Sequence, residues 1–307
     1  MPAFCTHYLF FEDSKEFMCS LADFPLNEKV CALGSQGADI FFFHKIYSPL
    51  HSKRKIGSAL HRAKPEDIFN VFAEYVRKNP DPTAKSYIYG FILHYALDRR
   101  CHPFVYALEK KITDSDKKIH HFSAHSRVEM GLDAYMLYQK SGTEYPYLFD
   151  SSKTIELNDR EKDSVAKVLC YMIKKVLKKR ISRLAVKRAI NDTVRMQKFL
   201  RDKSGQLCIL ATVLETILGK AIGYYKFSAM IKPRLWKNGE KYANIDNGIW
   251  ISPFSKEKSN LSFEQLYIYA LQEAKELLIG FEQTVSGKTD AKDVTENISF
   301  LTGLEIK

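Results

Sequence analysis

The chain has 307 residues, of which 45% are hydrophobic and 27% charged, with a formal net charge of +11. That length holds one large domain or two smaller ones with real cores, and the composition is that of a globular protein, not a disordered or fibrous one. No run reaches the ~20 apolar residues of a membrane-spanning helix, and the amino terminus, MPAFCTHYLFFEDSKEF, lacks the basic start and long apolar core of a secretory leader.

Taken in chain order, apolar residues recur at steps of three and four in EDIFNVFAEYVRK (66–78), KSYIYGFILHYAL (85–97), SRVEMGLDAYMLYQK (126–140) and DSVAKVLCYMIKKVL (163–177). The same spacing returns in LCILATVLETILGKAI (207–222) and SFEQLYIYALQEAKELLIGFEQ (262–283). This is the helical period, and long alternating runs are scarce, so the reading is all-α without a sheet. Breaks fall at NPDPTAK (79–85), SGTEYPYLFDSSKT (141–154) and KNGEKYANIDNGIWISPF (237–254). Ser262 is placed to cap the last long helix, with Glu264 in its first turn. The tail after Ser286 is polar and reads as partly loose.

Residues 171–190, YMIKKVLKKRISRLAVKRAI, carry Lys and Arg without an acid and read as one amphipathic helix. Ile173, Val176, Leu177, Ile181 and Leu184 form its apolar face. Its basic face is either a solvated surface or one drawn to anionic lipid headgroups or nucleic acid. The six cysteines, Cys5, Cys19, Cys31, Cys101, Cys170 and Cys208, form no CxxC pair. They read as reduced, mostly buried thiols of a cytoplasmic protein.

All nine histidines lie in the first 125 residues, which places the chemistry in the amino-terminal half. His94, Asp98 and His102 stand at steps of four inside an apolar helix, on one face. A second helix repeats the pattern with His125 and Glu129, preceded one turn earlier by His121 and followed one turn later by Asp133. Ionisable groups on buried faces are costly unless paired or metal-bound. Each stripe alone fits a salt-bridged helix, whereas two together fit a metal cluster in a helix bundle. Imidazole and carboxylate donors without thiolate suit zinc ahead of iron or manganese, and calcium and magnesium prefer oxygen alone. Cys101 falls off the stripe, and His44, His51 and His120 read as surface residues. His121 is an alternate ligand should His125 face away.

With these residues in view, the sequence resembles the zinc-dependent phospholipase C family, whose fold is shared with single-strand nucleases. His7 in THYLF, Asp39 in GSQGADIFF, His61 in IGSALHR, then GFILHYALDRRCHP and HSRVEMGLD carry the resemblance, in the family's order. NGIWISPF followed by SFEQLYIYALQEA adds to it, so most of the chain is covered. The resemblance implies a multi-helix bundle with two or three zinc ions in its core. It implies one ion on Asp39, His61, His94 and Asp98, a second on His102, His125 and Glu129, and a third near His7 toward which Asp98 bridges. Six residues precede His7 here, whereas secreted members chelate the third ion with the processed amino-terminal residue, and Ala38 stands where the family often has Pro.

The implied activity is phospholipase C-like hydrolysis of a phosphodiester, with a phospholipid as substrate, by metal-activated hydroxide with Asp39 as general base. The alternatives are a single-strand nuclease-like phosphodiesterase, with nucleic acid as the less favoured partner, and a non-catalytic helical module with a structural metal. Residues 1–190 would form the catalytic region and 191–307 a helical extension packed on it as one compact unit. The basic segment 171–190 would give peripheral contact with an anionic membrane. Phe41, Phe42, Phe43 and Tyr47 are either an apolar lip for the lipid or part of the core.

Overall fold

The structure is a computed structural model that describes residues 4–48, 52–222 and 227–307, with the side chains of 219–222 excepted. His51 lies outside the described residues. The chain is 68% helical with almost no strand, an all-α fold. Its spine is α5, Pro82–Ser115, whose 34 residues extend about 50 Å at 1.5 Å per residue. Asp81 caps it, accepting from the backbone N–H groups of Thr83 and Ala84, and Pro82 occupies the first turn where no intrahelical donor is needed.

Other helices lie along this spine. α1 (Phe4–Leu21) and α6 (His121–Ser141) pack on it and on each other, and α2 (Glu28–Gly34) crosses it. The crossing depends on Gly34 and Gly90: a Cβ on Gly34 would stand 2.9 Å from the Gly90 Cα. α3 (Arg54–Leu60) and α4 (Pro65–Lys78) follow, then α7 (Asp159–Val176), α8 (Arg183–Phe199) and α9 (Gln206–Ile222). The short α10 (Lys237–Glu240) seats on α6, and α11 (Phe263–Val285) packs along α5 and α4. Ser262 caps α11 in a reciprocal box with Gln265. One continuous core takes residues from Phe4 to Phe300, drawn from both sides of position 190.

Three expectations are corrected. Residues 171–190 are not one helix: α7 ends at Val176, residues 177–182 form a loop, and α8 begins beyond the Ser182 cap. Lys178 sits at φ 54° and its Nζ donates to the Lys175 carbonyl, closing α7, while the Ser182 hydroxyl accepts from Ala185 N–H and opens α8. A stop and a start signal inside a run of repelling cations outweigh its continuous period, and Leu184 faces solvent. The tail is not loose, because α12 (Ala291–Thr295) packs on α4 and α11, and Phe300 is buried. The irregular 237–254 stretch ends in a small antiparallel ladder, β1 (Trp250–Ile251) against β2 (Lys258–Ser259). All six cysteines are free: Cys5, Cys31 and Cys101 are buried, Cys170 and Cys208 half-buried, and Cys19 exposed.

Candidate metal centre

Five separate segments deliver side chains to one interior region. α5 contributes His94, Asp98 and His102 from one face, and α6 contributes His125 and Glu129. His61 stands at the C-cap of α3, and its Nδ1–H donates to the Gly57 carbonyl at 2.8 Å, turning Nε2 inward. Asp39 lies on a 3-10 turn, Gly37–Phe43, entered through Gly37 at φ 53°. Gly37 also touches the His94 ring so closely that a Cβ there would overlap it. α8 clamps this turn from outside, with the Thr193 hydroxyl donating to the Ile40 carbonyl at 3.2 Å.

His7 reaches the centre from α1, and Asp133 sets its depth. The Asp133 carboxylate accepts from the backbone N–H groups of Cys5 and Thr6 at 2.9 and 2.8 Å and from the Thr6 hydroxyl at 2.8 Å. It thus acts as a cap supplied by another helix, and Asp133 does not join the metal-ligand groups that Glu129 and His125 enter.

Three groups result among the described residues: Asp39, His61 and His94; His7, His94 and Asp98, which shares His94 with the first; and, separately, His102, His125 and Glu129. In each, the donor atoms lie within 4.8 Å of one another. Asp98 is the hub. Its Oδ1 stands 3.3 Å from His7 Nε2, and its Oδ2 stands 3.4 Å from His61 Nε2 and 3.3 Å from His94 Nε2. The Asp39 Oδ1 is 3.3 Å from His61 Nε2, and Glu129 Oε1 is 3.1 Å from His125 Nε2 and 3.8 Å from His102 Nε2.

Electrostatics set these groups against one another. Burial holds His94 well below the ordinary imidazole range, more than Asp98 opposes, and His7, His61 and His102 push the same way. Burial alone would raise Asp98, but the surrounding His102, His94, His61 and His7 outweigh it and hold that carboxyl well below its usual range. Asp39 is raised by burial, with His61 opposing and Asp98 adding to the rise. Burial lowers His61, yet Asp39 and Asp98 overcome it and lift its pKa to about 9.

The residues fit a metal. Asp98 Oδ2 is buried and makes no hydrogen bond among the described residues, although two imidazole nitrogens lie within 3.4 Å. His7 Nδ1 and His94 Nδ1 likewise make no hydrogen bond among the described residues. Buried lone pairs that converge in this way suit a cation, and a carboxylate set this deep needs positive charge. The donors are imidazole and carboxylate throughout, the set that suits zinc.

Outer partners fix three of the rings. His61 has the Gly57 carbonyl, His102 Nδ1–H donates to the Phe300 carbonyl at 2.7 Å, and His125 Nδ1–H donates to Glu109 Oε2 at 2.9 Å. His121, the alternate ligand, is mostly exposed and bonds the other Glu109 oxygen at 2.8 Å. His44 is not a surface residue: it is buried, and its Nδ1 accepts from Lys53 N–H. His120 is exposed and caps α6. Cys101 is buried beside the centre, outside the three groups.

A cleft of about 150 Å³ opens the centre to the surface, lined by Asp39, His61, His102 and His125 with Phe42, Arg62 and Tyr106. Phe42 stacks on His61 at 5.8 Å between ring centroids, whereas Phe41 and Phe43 are core residues and Tyr47 is exposed outside the cleft's lining. Arg62, Tyr106, Glu109 and Phe300 escaped sequence reasoning. Glu109 had a signal, seven residues beyond His102 on the same helix face. Phe300 had none, because it contributes a backbone oxygen.

Among protein-family models, one described as zinc dependent phospholipase C matches residues 6–186, more than half of the chain and the span that holds all eight metal-site candidates. No curated protein and no solved structure matches.

Proposed function

The chain belongs to the zinc-dependent phospholipase C family, and from that premise we propose that its buried centre binds zinc and hydrolyses a phosphodiester, with a phospholipid as the substrate class. The observation that carries this reading is the convergence on Asp98: imidazoles from two helices and a helix end face one buried carboxylate, whose Oδ2 makes no hydrogen bond among the described residues. In this reading Asp39, His61, His94 and Asp98 hold one ion, and His102, His125 and Glu129 hold a second. His7, with Asp98 as the bridge, faces a third.

Bound zinc supplies Lewis acidity, hydroxide at neutral pH and compensation for the charge that develops on phosphorus oxygens. The chain's own residues do the rest. Asp39 lines the cleft with a carboxyl raised by burial, so one of its oxygens serves as base for the attacking water while the other faces His61. Arg62, exposed at the mouth, positions the substrate phosphate. Phe42 and Tyr106 wall the approach, and the 150 Å³ of the cleft admits a phosphodiester group while leaving acyl chains outside. The Phe300 carbonyl and Glu109 keep His102 and His125 in the tautomer whose Nε2 points inward.

The test joins metal analysis to a bis(p-nitrophenyl) phosphate assay on the purified chain, then compares phosphatidylcholine with single-stranded DNA. Zinc with lipid turnover is the expected result. Zinc with DNA turnover alone replaces phospholipase by nuclease, and zinc without any hydrolysis leaves the metal a structural role.

A further inference from the structure

A second surface lies outside the metal centre. α9 turns Ile209, Leu210, Val213, Leu214, Ile217 and Leu218 to solvent, with Ile209 66% and Ile217 73% exposed. The steps of four make this one continuous stripe. The only acid on α9, Glu215, is buried and accepts from the backbone N–H groups of Phe227 and Ser228. Between 207 and 218 the outward side therefore carries no charge. An aliphatic patch of this extent marks a docking surface.

The neighbouring surface decides the occupant. The inner side of α9 packs with Phe43, Leu200, Met230 and Ile231, and the half-buried Ile46 joins that cluster. Lys45, next in sequence, lines a cavity of about 770 Å³, far larger than the catalytic cleft. Lys53, Lys162, Lys187, Arg188 and Arg195 also line it, against the single acid Asp159. Asp163 and Asp192 draw in Lys187, Arg188 and Arg195, but no ion pair holds Lys45, Lys53 or Lys162 among the described residues. Leu184 lines the cavity at 77% exposure, and the exposed Tyr47 accepts from Arg188 at 2.6 Å. The run Lys45–Ile46–Tyr47 thus leads from the apolar cluster beneath α9 to the cationic hollow. A layered surface with an acyl interior and phosphate groups above it offers the complement to both.

We propose that α9 docks on an anionic phospholipid bilayer, its aliphatic stripe in the acyl boundary and the cavity of Lys45, Lys53 and Lys162 around an anionic headgroup. The choice of lipid over a protein occupant rests on the phospholipid reading above. Docking and catalysis remain separable, because no α9 residue lines the cleft.

The test is co-sedimentation of the full chain with sucrose-loaded vesicles of phosphatidylcholine alone or mixed with phosphatidylglycerol. The wild type partitions onto the mixed vesicles. The triple variant Ile209→Gln, Val213→Gln, Ile217→Gln loses about tenfold or more of that partition, with bis(p-nitrophenyl) phosphate hydrolysis unchanged. The pair Lys53→Gln, Lys162→Gln loses the preference for phosphatidylglycerol. No wild-type partition onto either vesicle, or equal partition by the triple variant, overturns the proposal. So does a wild-type dimer in sedimentation equilibrium that the triple variant converts to monomer, since a second copy is then the occupant. No preference for phosphatidylglycerol overturns the headgroup cavity. Vesicle binding without any phosphodiester hydrolysis sinks the catalytic reading and leaves docking standing.

Discussion

The Nε2 atoms of His61 and His94 stand 3.3 Å apart in the interior, each within 3.4 Å of Asp98 Oδ2. Two imidazoles from different helices meet in this way only where a cation or a proton mediates. Asp98→Asn keeps the shape and removes the charge that His7, His61 and His94 share. The variant should lose at least one zinc equivalent per chain by elemental analysis, and His94→Ala should do the same. Full metal content in both would refute the ligand assignment.

Gly37→Ala reaches the same centre without replacing a ligand. A Cβ at φ 53° would overlap the His94 ring, so either the turn that carries Asp39 or the ring must move. The expected cost is roughly 1–3 kcal/mol in urea unfolding, with zinc affinity reduced. A variant as stable and as metal-loaded as the wild type would show that the contact relaxes freely.

Asp133→Ala tests how His7 is seated. It leaves the Cys5 and Thr6 amides unpaired and removes the carboxylate beside the half-buried Lys232, 3.9 Å away. Loss of one partner of a buried charge pair costs roughly 3–5 kcal/mol. Zinc bound through His102, His125 and Glu129 should remain. Unfolding at wild-type denaturant concentration would remove this role from Asp133.

Glu109→Gln probes the outer partner of His125. Its carboxylate accepts from both His125 and His121, and such partners alter metal affinity by roughly 10–100-fold. Competition with a chelating dye should show one weakened site and the rest unchanged. Uniform weakening of every site, or none, would contradict the arrangement.

The metal-stripped protein should depend on pH through His61. Burial lowers this ring, but Asp39 and Asp98 overcome it and lift its pKa from 6.5 to about 9. A raised folded value stabilises in full below the unfolded pKa and is lost as pH climbs through the folded one. Melting temperature after chelation should therefore fall from about pH 6.5 to about pH 9. Zinc needs the unprotonated ring, so its affinity should rise over the same interval with release of a proton. Calorimetry in buffers of different ionisation enthalpy measures that proton, and a flat melting curve without proton release would refute the coupling.

Helix content, the capped α11 and the paired stripes on α5 and α6 were legible because they rest on short-range periodicity. His94, Asp98 and His102 share a face wherever the helix goes. The break at 177–182 was missed because cap geometry competed with an unbroken apolar period. Docking of the tail was missed because its polarity hid one aromatic, Phe300, that packs against His61, His94 and Tyr95.

Spacing and side-chain chemistry in the sequence by themselves determined that this is an all-helical chain with imidazole and carboxylate stripes, because period and ligand type are local properties. Only the tertiary structure decided that Asp98 is the hub and that Asp133 anchors α1 outside the ligand groups. It alone brought Glu109 and the Phe300 carbonyl to the rings and left α9 bare beside a cationic hollow. Each of these depends on distances between segments far apart in the chain, and packing, not sequence spacing, sets those distances.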